Sequence, residues 1–419
     1  MANDGLVVGL DIGTTKVCAV IGEQNENGNL EITGVGTSVS TGLRKGVVVN
    51  IEATLRSVAQ AIEAAEMMSG REVHSAWTGI GGSHIDGINS RGVVAVTGKS
   101  RETREITTED VARALEAARA VVIPMDRQVL ELIPQTYIVD DQRGIRDPLD
   151  MIGVRLEAEV HIITCSITSA QNLVKCVNRA GFRVEGLVLQ SLAAGRAVLT
   201  EDEKELGVAL IDLGGGTTDV LVYFDGAPYS TTTIPAGGSQ VTSDISIVKN
   251  IPFETAEKIK LEAGSCWEGA SSGDDIIVRG VDGRPLLSVP PIPRYQIEEI
   301  ARPRMEEIFS LVKEKLDKLS LSRPLGGGIV LTGGASQLLG AAELASSVFA
   351  LPARVGFPLS LGGLEEEYRS PVYATAVGLA LEGFEREGWT RENAGEIRVR
   401  EKGTPLLGRL AEWLKKEFF

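Results

Sequence analysis

Aromatic side chains make up only 5% of the 419 residues, and histidine and cysteine are scarcer still, at three and four. Cys18, Cys165, Cys176 and Cys266 form no C-x-x-C pair, and His74, His84 and His161 do not join them at metal-ligand spacing, which argues against a zinc site or a disulfide framework. Buried free thiols in a reducing compartment are expected instead. No apolar run reaches the ~18 residues that a membrane-spanning helix needs. The start, Met1-Ala2-Asn3-Asp4, lacks the basic segment of a signal peptide, so the sequence predicts a cytoplasmic chain whose membrane contact, if any, is peripheral. A basic excess is missing too: the net charge of −15 argues against nucleic acid as the main ligand. Neither G-x-x-x-x-G-K-[ST] nor a strand-linked G-x-G-x-x-G occurs, so P-loop and Rossmann readings have no support.

What the chain has is one short pattern written twice. Gly9-Leu10-Asp11-Ile12-Gly13-Thr14-Thr15-Lys16 and Ile211-Asp212-Leu213-Gly214-Gly215-Gly216-Thr217-Thr218-Asp219 each carry an apolar strand into Asp-x-Gly and a hydroxyl-bearing turn, with a second strand after it. Glycine lets the backbone approach an anion, and the exposed amides and Thr hydroxyls bond phosphate oxygens. Two such hairpins facing each other predict a clamp on a polyphosphate, built from Gly13, Thr14, Thr15 and Lys16 on one side and Gly214, Gly215, Gly216, Thr217 and Thr218 on the other. A triphosphate arrives with Mg²⁺, a hard cation that keeps several waters, and Asp11 and Asp212 are placed to hold those waters. A single copy reads equally well as an ordinary hairpin; the repetition is what argues for a ligand.

At this length at least two domains are expected, and 43% hydrophobic content supplies ample core for them. Periodicity predicts a third strand around 32–39, a helix over 51–68 and a strand over 73–80. Residues 85–163 read as a compact insert with a strand at 92–97, a capped helix from Thr107 and strands near 129–139 and 153–163. A helix near 169–180 and a strand at 183–189 resume the first half. The second half opens near 206, is interrupted over 241–307, and continues through a helix at 305–319, a strand ending at Thr332 and a helix at 373–382. Both halves share one plan, which predicts a duplicated α/β protein with a ligand cleft between the halves.

Further pieces cluster around that plan. Thr332-Gly333-Gly334-Ala335 follows a buried-type strand, so its backbone can pass flat beneath a base or an α-phosphate. Glu257 and Lys260, three apart on a helix, either reach a ribose or form a surface ion pair. Gln190 either orients an attacking water, with Asp212 as its catalytic companion, or is simply a buried amide bonded to backbone. Small residues at Ser191/Gly195 and Ala374/Gly378 allow two helices to cross closely as a hinge or as plain packing. At the C-terminus, after a polar linker from 386 to 404, Leu406, Leu407, Leu410, Trp413, Leu414 and Phe418 fall on one face of a helix over 405–419, with Arg409, Glu412, Lys415, Lys416 and Glu417 opposite. Such a helix lies in a membrane interface or docks on a protein surface.

Together the two hairpins, the Gly333-Gly334 turn and the connecting helices resemble the actin, Hsp70 and sugar-kinase superfamily, with its ribonuclease H-like, actin-like ATPase core. The stretches 82–92, 153–161 and 200–207 are similar to FtsA, the bacterial family of cell-division actins, over residues 5–383. That resemblance implies subdomain 1A at 1–84 and 164–195, 1C at 85–163, 2A at 196–240 and 308–385, and 2B at 241–307. It implies binding of ATP and Mg²⁺, at most a weak ATPase, self-assembly into filaments on anionic lipid at the inner membrane face of the division septum, tethering of FtsZ through its C-terminal peptide near Arg304, and recruitment of other division proteins. Many members of the family carry an acidic residue where Gln190 stands. A sugar kinase has no use for an interfacial tail, and an Hsp70-type chaperone needs a large domain where this chain has only about 35 residues beyond Glu382.

Overall fold

A computed structural model of the chain describes residues 5–96, 103–269, 273, 275–279, 283 and 290–396, with backbone alone over 387–396. In the first half β1 (Leu6–Ile12) and β2 (Lys16–Gln24) form an antiparallel hairpin that sets Asp11 opposite Cys18, and β3 (Leu30–Val39) pairs with β2. A small ribbon of β4 (Leu43–Arg44) and β5 (Val47–Val48) leads into α1 (Ile51–Ser69). The Asn50 side chain accepts the Ala53 amide at the start of α1, and Gly70, left-handed at φ 68°, ends it. β6 (Ser75–Ile80) then runs parallel to β1. β1, β2 and β6 read as nearly unbroken apolar runs because the sheet they build is covered on both faces.

The insert is a sheet of its own. It contains β7 (Asp86–Ala95), β8 (Arg104–Glu105), α2 (Thr108–Arg119), β9 (Arg127–Val139), β10 (Gln142–Ile145), β11 (Ile152–Gly153) and β12 (Arg155–Ser166), with strand order β10-β9-β12-β7 and α2 on one face. Thr107 and Asp110 close the capping box that the sequence predicts. The strand expected at 92–97 begins instead at Asp86, because Ile88 and Asn89 pair with Ile162 and His161 of β12, and Thr97 lies outside the described residues. α3 (Ile167–Arg179), β13 (Arg183–Leu189) and α4 (Gln190–Val198) complete this half, giving the first sheet the order β13-β6-β1-β2-β3.

After α5 (Glu201–Leu206), the second half repeats the plan with β14 (Val208–Leu213), β15 (Thr218–Phe224) and β16 (Ala227–Ile234), followed by α6 (Gly238–Lys249), α7 (Phe253–Ala263), α8 (Arg294–Asp317), β17 (Gly328–Thr332), α9 (Ala341–Phe349), β18 (Ala353–Val355) and α10 (Ala374–Glu396). Its sheet, β16-β15-β14-β17-β18, is the first sheet's order over again, with β14 and β15 in the places of β1 and β2. The duplication expected from sequence is therefore visible strand by strand.

Two helices differ from expectation. α8 starts at Arg294 rather than 305 and runs through Pro303, since fully buried Ile297, Ala301 and Met305 continue one apolar stripe whose packing outweighs the lost amide. α10 passes Glu382 and reaches Glu396, so the linker expected from 386 is helical over its first part. The expected tail at 405–419 lies outside the described residues.

α4 and α10 fill the space between the two sheets. A methyl group on Gly378 would stand 1.8 Å from the Ala193 carbonyl oxygen, and one on Gly9 2.4 Å from that of Ala376, so α10 presses on both α4 and β1. Gly195, expected in this crossing, turns instead toward Leu210, Leu221 and Tyr223 of the second sheet. Each half also touches the other's third strand: the Ile32 amide of β3 donates to Gly362 at 2.8 Å, while Gln135 and Asn89 of the insert donate to the Pro228 and Tyr229 carbonyls of β16 at 2.9 and 3.0 Å.

Candidate functional site

The two Gly-Thr turns meet between the halves. A methyl added to Gly215 would lie 2.4 Å from Thr15 Cγ2, and one added to Gly216 2.9 Å from Thr14 Cγ2. The expected clamp is closed: the turns touch, and a phosphate between these four residues requires the halves to part. The second turn is pinned from behind by α6, whose Gly238 and Ser239 amides donate to the Gly214 and Gly215 carbonyls at 2.9 and 2.8 Å. Because trans peptides set C=O and N–H on opposite sides, the amides of Gly215 and Gly216 point away from α6.

Behind the turns three carboxylates gather. Asp11 ends β1, Asp212 ends β14, and Asp219 of β15 is paired directly opposite Asp212. Burial, then the neighbouring charges of Asp219 and Asp11, push the Asp212 carboxyl up to about 7. Burial also raises Asp11 and Asp219; Lys16 and Gln190 offset part of the rise at Asp11, and the Thr233 and Thr217 hydroxyls part of that at Asp219. Gln190 Nε2 donates to Asp11 Oδ1 at 2.7 Å, Thr375 Oγ1 of α10 donates to Asp212 Oδ2 at 3.1 Å, and the Gly82 amide of the first half donates to the Asp219 carboxylate.

Lys16 is not free to face a phosphate. Its Nζ donates to the Val372 carbonyl at 2.6 Å and stands 4.2 Å from the centre of the Tyr373 ring, just ahead of α10. Gly333, at φ 79°, is packed so closely that a methyl there would reach to 2.2 Å from Asp212 Oδ1, whereas one on exposed Gly334 would meet nothing within 4 Å. Ala335 is buried beside Gly238, and the turn is a short 3₁₀ helix, with α9 starting only at Ala341. Glu257 and Lys260 do form an ion pair, at 2.7 Å, but not at the surface: Lys260 is buried under the start of α6, bonded to Thr242 Oγ1 at 3.0 Å and the Gly238 carbonyl at 3.3 Å. Arg304 lies on α8 and grips Asp244 of α6 with two nitrogens, at 2.6 and 3.1 Å, and also Glu307.

The sequence reading misses Asp219, Thr375, Gly82 and the Gly237-Gly238 pair. Gly237-Gly238 and Gly82, the latter as part of Gly81-Gly82, carry a signal, a double glycine after a strand like Gly333-Gly334. Among the described residues no three His, Cys, Asp or Glu groups stand close enough to ligate a metal directly. The donor set nevertheless fits a hydrated Mg²⁺, because Asp11 and Asp212 are half-buried carboxylates, both pushed up by burial and Asp212 further by the charge of Asp11, which a cation would relieve.

Two matching sheets, helices crossing between them and facing Gly-Thr turns define the class as an actin-like ATPase fold. Solved structures agree at the level of fold: the PilM-PilN type IV pilus biogenesis complex has a chain with a TM-score of 0.64 and 17% identity, covering 90% of this chain and 98% of that one. MreB5 of Spiroplasma citri bound to ADP gives a TM-score of 0.52 at 16% identity, covering 94% and 99%. In sequence, the family described as "SHS2 domain inserted in FTSA" matches residues 82–164, and that of "Cell division protein FtsA" residues 209–378. Proteins of that name from Borreliella burgdorferi, Pseudomonas aeruginosa and Escherichia coli are 46%, 44% and 40% identical, each over 99% of this chain and 99%, 98% and 98% of their own. The chain belongs to the FtsA family of cell division proteins.

Proposed function

We propose that this protein binds ATP between its two halves, polymerises on the inner face of the cell membrane at the division septum, tethers FtsZ filaments there and recruits later division proteins. The observation that carries the nucleotide reading is the meeting of Thr14-Thr15 with Gly215-Gly216 in front of Asp11, Asp212 and Asp219. Phosphates enter when the turns part, bonding Gly13, Thr14, Thr15 and the amides of Gly215 and Gly216, with Thr217 and Thr218 behind. The open face of Gly334 takes the adenosine, with Ala335 beneath it, and half-buried Glu257, the more accessible member of its ion pair, reaches a ribose hydroxyl. Asp11 and Asp212 hold Mg²⁺ through its waters, and that ion neutralises phosphate charge. Hydrolysis is weak at most, because the Gln190 amide is already committed to Asp11 and is no base.

The subdomain division 1–84 with 164–195, 85–163, 196–240 with 308–385, and 241–307 belongs to this proposal. So does Arg304 as a contact for the acidic C-terminal peptide of FtsZ, which would displace Asp244 from its fork. The membrane contact is the face Leu406, Leu407, Leu410, Trp413, Leu414 and Phe418, with anionic lipid opposite Arg409, Lys415 and Lys416. ATP calorimetry and liposome sedimentation test the two parts separately. Asp212→Ala is expected to abolish the binding heat, and deletion of 405–419 to leave the protein in the supernatant; wild-type affinity or undiminished co-sedimentation overturns the corresponding part.

A further inference from the structure

The insert sheet has two faces with different partners. Leu156, Ala158, Val160 and Ile162 of β12 pack with Val111, Ala114 and Leu115 of α2 on one side. On the other, His161 points at the second half of the molecule and is 1% exposed. Its Nε2 lies 3.0 Å from Thr231 Oγ1 of β16, its Nδ1 2.6 Å from Asn89 Oδ1 of β7, and Asn89 Nδ2 donates to the Tyr229 carbonyl of β16 at 3.0 Å. That last bond fixes the amide: a carbonyl only accepts, so Oδ1 faces the imidazole, Nδ1 carries the proton and Nε2 accepts from the Thr231 hydroxyl. Burial holds His161 neutral, with its pKa lowered to about 4. Gly87 makes the approach possible, since a methyl there would stand 2.3 Å from Thr231 Oγ1 and 2.7 Å from His161 Cε1.

β16 carries this contact to the carboxylates. Thr231 and Thr233 are two apart and so share a face of the strand, and Thr233 is paired opposite Asp219, to which its hydroxyl donates at 2.5 Å. Asp219 also accepts the Gly82 amide, four residues before β7 begins. The same carboxylate is thus linked to the insert at its root, through Gly82, and across its sheet, through Thr233, Thr231 and His161. Of these bonds, His161 to Thr231 joins two buried partners, those to the Asp219 carboxylate are charge-assisted, and Asn89 stands exposed at the rim.

We propose that Asn89, His161 and Thr231 form a coupling seam through which nucleotide between the halves sets how the insert docks on β16. This rests on the nucleotide reading above. When the Gly-Thr turns part around a triphosphate, Asp219 and β16 move with the second half while the insert moves with the first, so the seam must slip. His161 and Thr231 are positioning residues: neither touches the nucleotide.

Hydrogen exchange on the full-length chain, with and without Mg·ATP, tests the seam, with ATP calorimetry on the same samples. In the wild type, amides of β7 and β12 around Asn89 and His161 are expected to change exchange rate at least threefold on adding ATP. Thr231→Val, which keeps the shape and removes the hydroxyl, should bind ATP with wild-type affinity yet lose that response, and Thr231→Ser should restore it. His161→Gln, which keeps a polar group at the seam, is expected to retain part of the response. The proposal is overturned if ATP binds the wild type but leaves these strands unchanged, or if Thr231→Val responds as the wild type does. Absence of any ATP heat from the wild type sinks the nucleotide reading itself, and the seam with it.

Discussion

The side-chain amide of Gln190, the first residue of α4, donates to Asp11 at the end of β1 at 2.7 Å, tying the inter-sheet helix to the first Gly-Thr turn. Glycine makes room for it: a methyl on Gly81 would sit 2.0 Å from Gln190 Oε1. Gln190→Glu would set a second carboxylate against Asp11, whose own carboxyl burial already pushes up. The new acid would bind its proton more tightly folded than unfolded, so the loss, roughly 1–3 kcal/mol at pH 8, should shrink toward pH 5 as the pair shares a proton. Urea unfolding at both pH values checks this; an equal loss at both contradicts it.

Asp212 makes the parent protein pH-sensitive in the same sense. Its folded carboxyl sits at about 7 against an ordinary 3.8, so between these values the folded chain keeps a proton that the unfolded chain gives up. Stability therefore falls as pH rises through that window and levels off above it. Without Mg²⁺, the wild type is expected to lose on the order of 1–2 kcal/mol between pH 5 and pH 8, allowing for solvent access to the group. Asp212→Asn should flatten that slope in urea midpoints, leaving the smaller contributions of Asp11 and Asp219.

Adjacent glycines should behave oppositely. Gly333→Ala strains a left-handed residue and drives a methyl into Asp212, so a loss of roughly 2 kcal/mol or more is expected in thermal or urea unfolding. Gly334→Ala faces open space and should stay within about 0.5 kcal/mol of the wild type. Its effect should appear only in calorimetry, as weaker ATP binding. Similar stability for the two variants would refute the geometry.

Gly378→Ala places a methyl 1.8 Å from a backbone oxygen of α4, which no side-chain rotation relieves. The helices must separate, at a cost of about 1–3 kcal/mol. Gly195→Ala, whose methyl would meet only leucine and tyrosine side chains at 3.3 Å and beyond, should cost clearly less. Chemical denaturation of the two variants side by side decides whether the tight crossing is at Gly378.

Much of this was written locally. Asp-x-Gly-Thr-Thr is legible because strand, turn and strand are all encoded within a dozen or so residues, and the duplicated order of elements follows from periodicity. Asp219 escapes because it reads as one residue of a strand; only its pairing opposite Asp212 makes it a third acid. The contact between the turns, the tie of Lys16 to Val372 and the burial of Lys260 depend on how two halves distant in sequence are set against each other, which no window of residues encodes. Pro303 and the charged stretch after Arg386 mislead for a different reason: local propensity reads as a break where tertiary packing continues a helix at Pro303, and where helix-forming Glu and Arg continue it after Arg386.

Gly362 lies along the Glu31–Ile32 end of β3, and the insert's Asn89 and Gln135 lie along β16, so each half shields a ladder edge belonging to the other. Any swing that separates the halves strips both guards at once. Unpaired strand margins are adhesive toward foreign chains, so the fully sprung molecule is its most aggregation-prone form, and whatever fastens the halves together also keeps the protein from sticking where it should not.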